Sequence, residues 1–134
     1  MAKLTPDQRA LFEGRNFVTV ATVGKDGAPH ATPVWVEIDD QDRVVVNSAL
    51  GRGWPSNLKR DPRVALSIFD QENPYHKLSL TGRVVEMTTD GARDHIEKLA
   101  HKYHGRPFGG PPDETRVLIR IELDDSAHEM GSRR

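Results

Sequence analysis

The sequence contains 134 residues, of which 36% are hydrophobic, and its 19 basic and 20 acidic residues give a formal net charge of −1 at pH 7. The basic residues are scattered, which disfavours sequence-independent binding to nucleic acid because such binding needs a concentrated positive field. The absence of cysteine excludes disulfides, thiolate metal sites and a cysteine nucleophile.

The length and hydrophobic content predict one domain over residues 1–134, with a modest core that suits a dimer. No apolar run approaches the roughly 20 residues of a membrane span. The first ten residues lack the apolar segment of a signal peptide. We therefore expect a cytoplasmic protein that has neither nucleic acid nor membrane as a partner.

The N-terminal half predicts a helix followed by three strands. A helix is expected within residues 1–15, because Thr5 is a good N-cap and Gln8 completes a capping box. Gly24 and Gly27 lie in the turn after the first strand, and both are expected to be free to take positive φ. Short connections between these strands make them antiparallel. The predicted strands are residues 16–23, 31–38 and 43–48.

The C-terminal half predicts three further strands and the longest helix. Gly82 indicates a bulge or bend in the longest strand. Apolar residues recur at helical spacing between residues 88 and 105. The predicted elements are a short helix after Trp54, strands at 63–69, 75–87 and 115–123 with a turn at 70–74 between the first two, the helix within 88–105, and a polar tail at 124–134.

Together these elements predict a mainly β (α+β) fold, a six-stranded antiparallel barrel with three short helices that plug its openings.

No catalytic motif stands out, so any reaction is expected to be carried by a bound cofactor. His95, His101 and His104 lie on the long helix, and we interpret them as solvated side chains rather than metal ligands. The pairs Asp39–Asp40 and Asp124–Asp125 are interpreted as solvated turn residues. The sequence thus predicts no metal site, and its catalytic residues are unknown.

The segment from Asn47 to Asp70 is the most informative candidate site. Arg52 lies between two glycines, and Trp54 and Pro55 begin a short helix with Pro55 expected at its first position. Unpaired N–H groups of that first turn, together with Arg52, would form a small anion site. A plain helix N-terminus with a solvated arginine explains the same residues.

The order of several segments resembles the split β-barrel flavin and deazaflavin oxidoreductases. These segments are "VATVGKDGAPHATPVWVEID", "NSALGR", "NLKRDPRVALSIFD", "NPYHKLSLTGRVVE" and "KYHGRP". The closest likeness is to the pyridoxamine 5′-phosphate oxidase-like branch of F420-dependent enzymes, and it covers about Asn16 to Leu123. The "NL-x-x-DPR" segment at Asn57–Arg63 and the "NPY" segment at Asn73–Tyr75 are fairly specific to that branch.

The resemblance implies an FMN-binding split-barrel fold, a homodimer, and cofactor sites in the grooves between the subunits. It implies that the cofactor ring is flanked by one strand, Thr32, Pro33, Val34, Trp35 and Val36, and by the strand end Asn47, Ser48 and Ala49. The loop of Arg52 would face the cofactor phosphate. Gly53, Trp54 and Asn57 complete this side of the predicted cofactor site. The partner subunit would supply Asn73, Pro74 and Tyr75.

One position departs from the family pattern. Family members commonly carry "R-x-K-x-x-NL", whereas this chain has Trp54 in place of the lysine. Losing one charge-assisted phosphate contact costs about 1.5–3 kcal/mol, which is about ten- to a hundredfold in affinity. Four hypotheses remain open: weaker cofactor binding, stacking of Trp54 on the ring or substrate, a different ligand, or a Trp54 that only covers the barrel mouth.

The leading functional hypothesis is hydride transfer between coenzyme F420 and an unsaturated small molecule. Tyr75, His76, Tyr103 or solvent would supply a proton. An FMN-dependent oxidoreductase is the second enzyme hypothesis. The alternatives of another class are a non-catalytic barrel that binds a cofactor, tetrapyrrole or lipid, and a dimeric structural protein without a ligand.

Overall fold

The computed structural model describes residues 4–124 and the short segment 128–130. In chain order the elements are α1 (Pro6–Glu13), β1 (Val18–Val23), β2 (Pro29–Val34), β3 (Glu37–Ile38), β4 (Val44–Ala49), α2 (Gly53–Arg60), β5 (Arg63–Asp70), β6 (Asn73–Thr88), α3 (Ala92–His104), β7 (Arg116–Leu123) and β8 (His128–Met130). No helix in the described part of the chain is both long and apolar enough to cross a membrane.

The strands form one antiparallel sheet in the order β2-β1-β5-β6-β7-β4-β3, with β8 paired to β6. This confirms the predicted antiparallel split barrel. The described residues contain eight strands, two more than the six predicted. One additional strand, β8, lies in the segment predicted as a polar tail.

The other additional strand arises because the predicted strand 31–38 is interrupted at Trp35–Val36. The Val36 N–H donates to the Tyr103 hydroxyl (3.1 Å), and its carbonyl accepts from Lys102 Nζ (2.7 Å). The Val36 backbone is therefore bonded to α3, and β2 and β3 lie on opposite sides of this break.

The barrel interior is filled by alternating residues of the strands. On β1 and β5 every second residue is buried, including Val18, Val20, Leu66 and Ile68. Helix α1 contributes Leu11 and Phe12 to the same cluster. Its predicted capping box is present, with mutual bonds between Thr5 and Gln8.

Helix α3 packs outside the barrel and does not plug an opening as predicted. Val44 and Val46 point into the interior cluster, whereas Val45 contacts Ala92 and Leu118 in a separate cluster. All six residues of β4 are consequently buried. A sheet strand covered on both faces positions the side chains between β4 and α3 in a low-dielectric layer.

Three local predictions from glycine and proline were wrong in part. The bulge in β6 lies between Val84 and Glu86, while Gly82 is required because a Cβ there would clash with the Glu122 carbonyl. Of the two turn glycines only Gly27 has positive φ, at 85°. Asn73 and Pro74 belong to β6, so the β5–β6 turn is shorter than predicted.

Candidate functional site

Two surface clefts meet at the loop that joins β4 to α2. We call the larger one, of about 720 Å³, the hairpin cleft; Gly24, Lys25, Asp26, His30, Ala31, Thr32, Gly53, Trp54 and Asn57 line it. We call the smaller one, of about 230 Å³, the aromatic cleft; Phe17, Pro33, Val34, Trp35, Asn47, Arg52, Ile96, Leu99, Phe108 and Arg116 line it. The boundary between them falls at Thr32–Pro33 and at Arg52–Gly53.

The start of α2 forms one wall of the hairpin cleft. The helix begins at Gly53, so the prediction of Pro55 at the first position was wrong, and Pro55 occupies the third. Proline has no N–H, which leaves Gly53 and Trp54 as the backbone donors among the first three helical positions. The space at Gly53 where a side chain would begin is open. An anion could therefore approach this backbone closely.

Arg52 is the N-cap residue of α2 and lies at the junction of the clefts. Its side chain is 58% exposed, and Nη2 is 3.8 Å from Glu114 Oε2. An exposed ion pair at this distance restrains the guanidinium only weakly. Arg52 can thus turn toward a ligand in either cleft.

Trp54 is half-buried and packs against the barrel core. Asn57 is buried, where its amide donates to Thr22 Oγ1 (3.0 Å) and accepts from Arg60 (3.2 Å). Both side chains therefore fasten α2 to the barrel. The three titratable groups of this cleft, Lys25, Asp26 and His30, come instead from the exposed β1–β2 hairpin.

The walls of the aromatic cleft are held by ring contacts. Trp35 stacks on Tyr103 with centroids 5.3 Å apart and an interplanar angle of 7°, and Phe17 meets Tyr103 edge-on at 5.5 Å. The Phe108 ring has the guanidiniums of Arg93 and Arg116 at 5.4 and 5.1 Å from its centroid. The cleft thus has rigid apolar surfaces next to positive charge.

Tyr103 is a structural residue and not an available proton donor as hypothesised. Its buried hydroxyl donates to the Asn16 carbonyl (2.6 Å) and accepts from the Val36 N–H. Burial raises the pKa of Tyr103 to about 12. Of the other candidates, Tyr75 is 65% exposed, and His76 is half-buried with its Nε2 lacking a partner among the described residues.

A buried polar network lies between β4 and α3, beneath the aromatic cleft. The Asn47 amide nitrogen donates to the Ala92 carbonyl (2.9 Å) and lies 3.0 Å from His95 Nδ1, and its oxygen accepts from Arg116 Nε (2.9 Å). Arg116 Nη1 donates to Glu114 Oε1 at 2.6 Å. Asn47 is therefore fully bonded within the protein.

His95 belongs to this network, so its interpretation as a solvated residue was wrong. It is 6% exposed, whereas His101 and His104 are exposed as predicted. Because Asn47 donates to Nδ1, the neutral ring carries its proton on Nε2, which lies 3.1 Å from Glu37 Oε1. This oxygen lies off the N–H direction, so the contact is electrostatic rather than an aligned hydrogen bond.

Glu37 connects β3 to α3 through His95 and Lys98. Lys98 Nζ lies 2.5 Å from Glu37 Oε2. The contact with His95, followed by that with Lys98, lowers the pKa of Glu37 to about 2, against the opposing effect of its partial burial. Glu37 is thus ionised throughout the physiological range.

The predicted cofactor residues divide into four groups. Thr32, Gly53, Trp54 and Asn57 line the hairpin cleft, and Pro33, Val34, Trp35, Asn47 and Arg52 line the aromatic cleft. Val36, Ser48 and Ala49 are buried and line neither. Asn73, Pro74 and Tyr75 lie at the start of β6 and line neither cleft of their own chain.

Sequence reasoning missed the contribution of the C-terminal third of the chain. Ile96, Leu99, Phe108 and Arg116 all line the aromatic cleft. Arg116 carried a usable signal, because a charged residue next to the apolar run "VLI" is buried only when it is paired. Among the residues that the structure describes, no group of three His, Cys, Asp or Glu side chains is arranged to hold a metal ion.

Residues 4–128 match the family model described as pyridoxamine 5′-phosphate oxidase. An F420 reductase of known structure is 28% identical, with a TM-score of 0.80 over 90% of this chain and 94% of that chain. The HupZ protein of Group A Streptococcus is 21% identical, with a TM-score of 0.69 over 97% and 96% of the two chains.

Rv2991, a conserved hypothetical protein of Mycobacterium tuberculosis, is 20% identical, with a TM-score of 0.75 over 98% of this chain and 88% of that chain. The similarity of HupZ and Rv2991 at these identities concerns the fold alone. No curated protein matches the chain.

Proposed function

The chain belongs to the pyridoxamine 5′-phosphate oxidase family of flavin-related oxidoreductases, and from this premise we propose that it transfers a hydride between coenzyme F420 and an unsaturated small molecule. The similarity to an F420 reductase over most of both chains supports this choice of cofactor. FMN is the alternative cofactor, since it shares a planar ring and a phosphate.

The observation that carries the proposal is the meeting of the two clefts at Arg52. A planar ring fits the apolar walls of the aromatic cleft, and an anionic chain fits the donors of the hairpin cleft. At about 230 Å³ the aromatic cleft is smaller than a complete ligand site, which typically measures roughly 300–1,000 Å³. A ligand that extends from one cleft into the other uses both.

The donor set at the junction fits a phosphate. Arg52 can turn to it from the exposed side, and the N–H groups of Gly53 and Trp54 point out from the start of α2. Lys25 faces the same cleft and adds a positive charge near the first turn of α2, although the Asp26 carboxylate lines the cleft beside it. The cofactor, when bound, supplies the hydride chemistry; this chain binds and orients it and excludes water from one ring face.

A non-catalytic binding protein is the second candidate. The partly buried Trp54 packs against the core where the family commonly carries a lysine, and Pro55 removes one backbone donor. Both features lower the affinity for a phosphate and favour a ligand that is bound chiefly through its ring. A tetrapyrrole or other planar molecule without a phosphate meets this description.

We further propose that the protein is a homodimer with cofactor sites between the subunits. The outer face of β1, β5 and β6 carries small side chains, namely Thr19, Ala21, Ala65, Ser67, Ser79 and Thr81. Small residues allow two sheets to approach closely. Exposed Phe69 and Tyr75 border this face, and their burial would favour association.

The proposed cofactor binding is tested by titrating the protein with F420 and, separately, with FMN while following tryptophan emission. We expect saturable quenching by F420, and Arg52→Ala should weaken binding at least about tenfold because it removes a charge-assisted contact. Arg63→Ala is the matched control, since Arg63 pairs with Asp61 on the surface outside both clefts. An equal dissociation constant for Arg52→Ala and Arg63→Ala would contradict the role of Arg52.

A further inference from the structure

The aromatic cleft combines flat apolar walls with a net positive charge. Its described lining includes Trp35, Phe17 and Phe108, two arginines, and neither Asp nor Glu. Glu114, the carboxylate paired with both arginines, lies outside the lining. One carboxylate shared by two guanidiniums leaves a net positive charge at this cleft.

Arg116 has a donor that the protein does not use. The residue is only 7% exposed; Nε bonds Asn47 and Nη1 bonds Glu114. Nη2 donates no hydrogen bond within the described residues. The fully buried side-chain atoms without a partner do not include Nη2, so this atom is partly accessible. Nη2 is therefore not fully enclosed by the protein, and the aromatic cleft is an opening that Arg116 lines. A buried guanidinium whose free edge faces an opening is a specific donor for an anion.

The surroundings of Arg116 favour a planar anion over a compact one. Its guanidinium carbon lies over the Phe108 ring, 5.1 Å from the centroid, and Trp35 is fixed in place by its stacking on Tyr103. Flat ligands gain stacking contacts on such surfaces. The volume of about 230 Å³ is suited to a single small ring system.

We infer that the aromatic cleft is a binding site for a planar conjugated anion, in which Arg116 Nη2 donates to the anionic oxygen or nitrogen and the ring lies against Trp35 and Phe108. Two sources share this chemistry: a substrate that carries a carboxylate on a conjugated ring, and the ring of the cofactor itself. The identity of the occupant rests on the proposed function, whereas recognition of the anion does not.

The first test varies the ligand and leaves the protein intact. Benzoate, benzamide and cyclohexanecarboxylate are titrated against the full chain by protein NMR, following the Trp35 indole signal, which is identified as the one retained in Trp54→Phe. We expect benzoate to bind at least about tenfold more tightly than neutral benzamide of the same shape, and more tightly than the non-planar acid. Equal affinity for benzoate and benzamide would overturn the inference.

The second test varies the arginine. Arg116→Gln should weaken benzoate binding at least about tenfold and leave benzamide binding unchanged. Arg93→Gln is the matched control, because Arg93 stacks on the same Phe108 ring at 5.4 Å but does not line the cleft. Benzoate affinity that survives in a folded Arg116→Gln protein would contradict the role of Arg116. If this variant fails to fold, the comparison of benzoate and benzamide binding to the unmodified protein alone tests the inference.

Repeating the benzoate titration at saturating F420 separates the two sources. Competition indicates that the cofactor ring occupies the cleft, and simultaneous binding indicates a carboxylate substrate beside the cofactor. Both outcomes support an anion site. If F420 does not bind while benzoate binds selectively, the proposed function fails and this inference stands.

Discussion

At the scale of single residues, Trp54 has the greatest influence on the proposed function. A lysine at this position of α2 would place an ammonium beside Arg52 at the start of the helix, where the helix dipole and free N–H groups already favour an anion. The indole instead packs on the barrel core. Compared with the lysine that is common in the family, Trp54 therefore buries more apolar surface and offers a phosphate one cation fewer.

We expect Trp54→Lys to tighten F420 binding about ten- to a hundredfold, since one charge-assisted contact contributes about 1.5–3 kcal/mol. Binding is followed through the emission of Trp35, which is then the only tryptophan. Trp54→Leu is the control that removes the indole without adding charge. Weaker binding by the lysine variant than by the leucine variant would show that no phosphate lies there.

His95 shows where residue-level sequence reasoning reaches its limit. The helical spacing of Ile96, Leu99 and Tyr103 correctly located the buried face of α3. Whether a histidine beside that face is solvated depends on what β4 presents to it, and Asn47 supplies its hydrogen-bond partner from 48 positions away. A partner so distant in sequence leaves no local pattern.

At the scale of elements, contacts between elements account for the strand prediction that failed. β-branched and alternating segments located β1, β4, β5 and β7 from the sequence alone. The break between β2 and β3 was missed because it depends on Lys102 and Tyr103, which bond the Val36 backbone from another element. Local propensity does not encode a backbone bond to a side chain more than 60 positions away.

The attachment of β3 to α3 depends on pH through Glu37. The pKa of Glu37 in the folded protein is about 2, against an ordinary value of 4.5. A lowered carboxylate pKa stabilises the fold above the ordinary pKa, and this stability is lost as the pH falls toward 2. The difference corresponds to a contribution of up to about 3 kcal/mol at neutral pH.

We expect Glu37→Gln to lower the free energy of unfolding at pH 7 by about 2–3 kcal/mol. At pH 3 the difference in the free energy of unfolding between this variant and the unmodified protein should be smaller. Urea unfolding at the two pH values measures both effects. Glu86→Gln is the control, since Glu86 pairs with Arg120 on an exposed surface and contributes at most about 1 kcal/mol. An equal difference in the free energy of unfolding at pH 7 and pH 3 would contradict the stabilising role of ionised Glu37.

At the scale of the whole molecule, one chain supplies only part of the predicted site. The family pattern and the order of segments were sufficient to predict the antiparallel barrel and the position of Arg52 next to the predicted ring strand. One part of the aromatic cleft was not predicted, because four of its residues come from the C-terminal third, where no motif indicates a ligand. Asn73 to Tyr75 lie outside both clefts of their own chain, which motivates the proposed dimer.

A symmetric dimer with shared sites makes a prediction that a monomer does not. If each site combines Arg52 of one subunit with Tyr75 of the other, Arg52→Ala and Tyr75→Ala each weaken both sites of a homodimer. Refolding equal amounts of the two variants together gives mixed dimers in which one site carries both substitutions and the other carries neither. About a quarter of all sites should then bind F420 at full affinity, because half of the dimers are mixed in a random assembly of a two-fold pair.

The control for this complementation is the double variant refolded with itself, which has no intact site. The molar mass in solution, measured by light scattering, establishes the dimer independently. Ala65→Arg places a long charged side chain on the small-residue face and should shift the mass toward the monomer. A dimeric protein without restored binding in the mixture would place Arg52 and Tyr75 in the same site of one chain, or Tyr75 outside the site altogether.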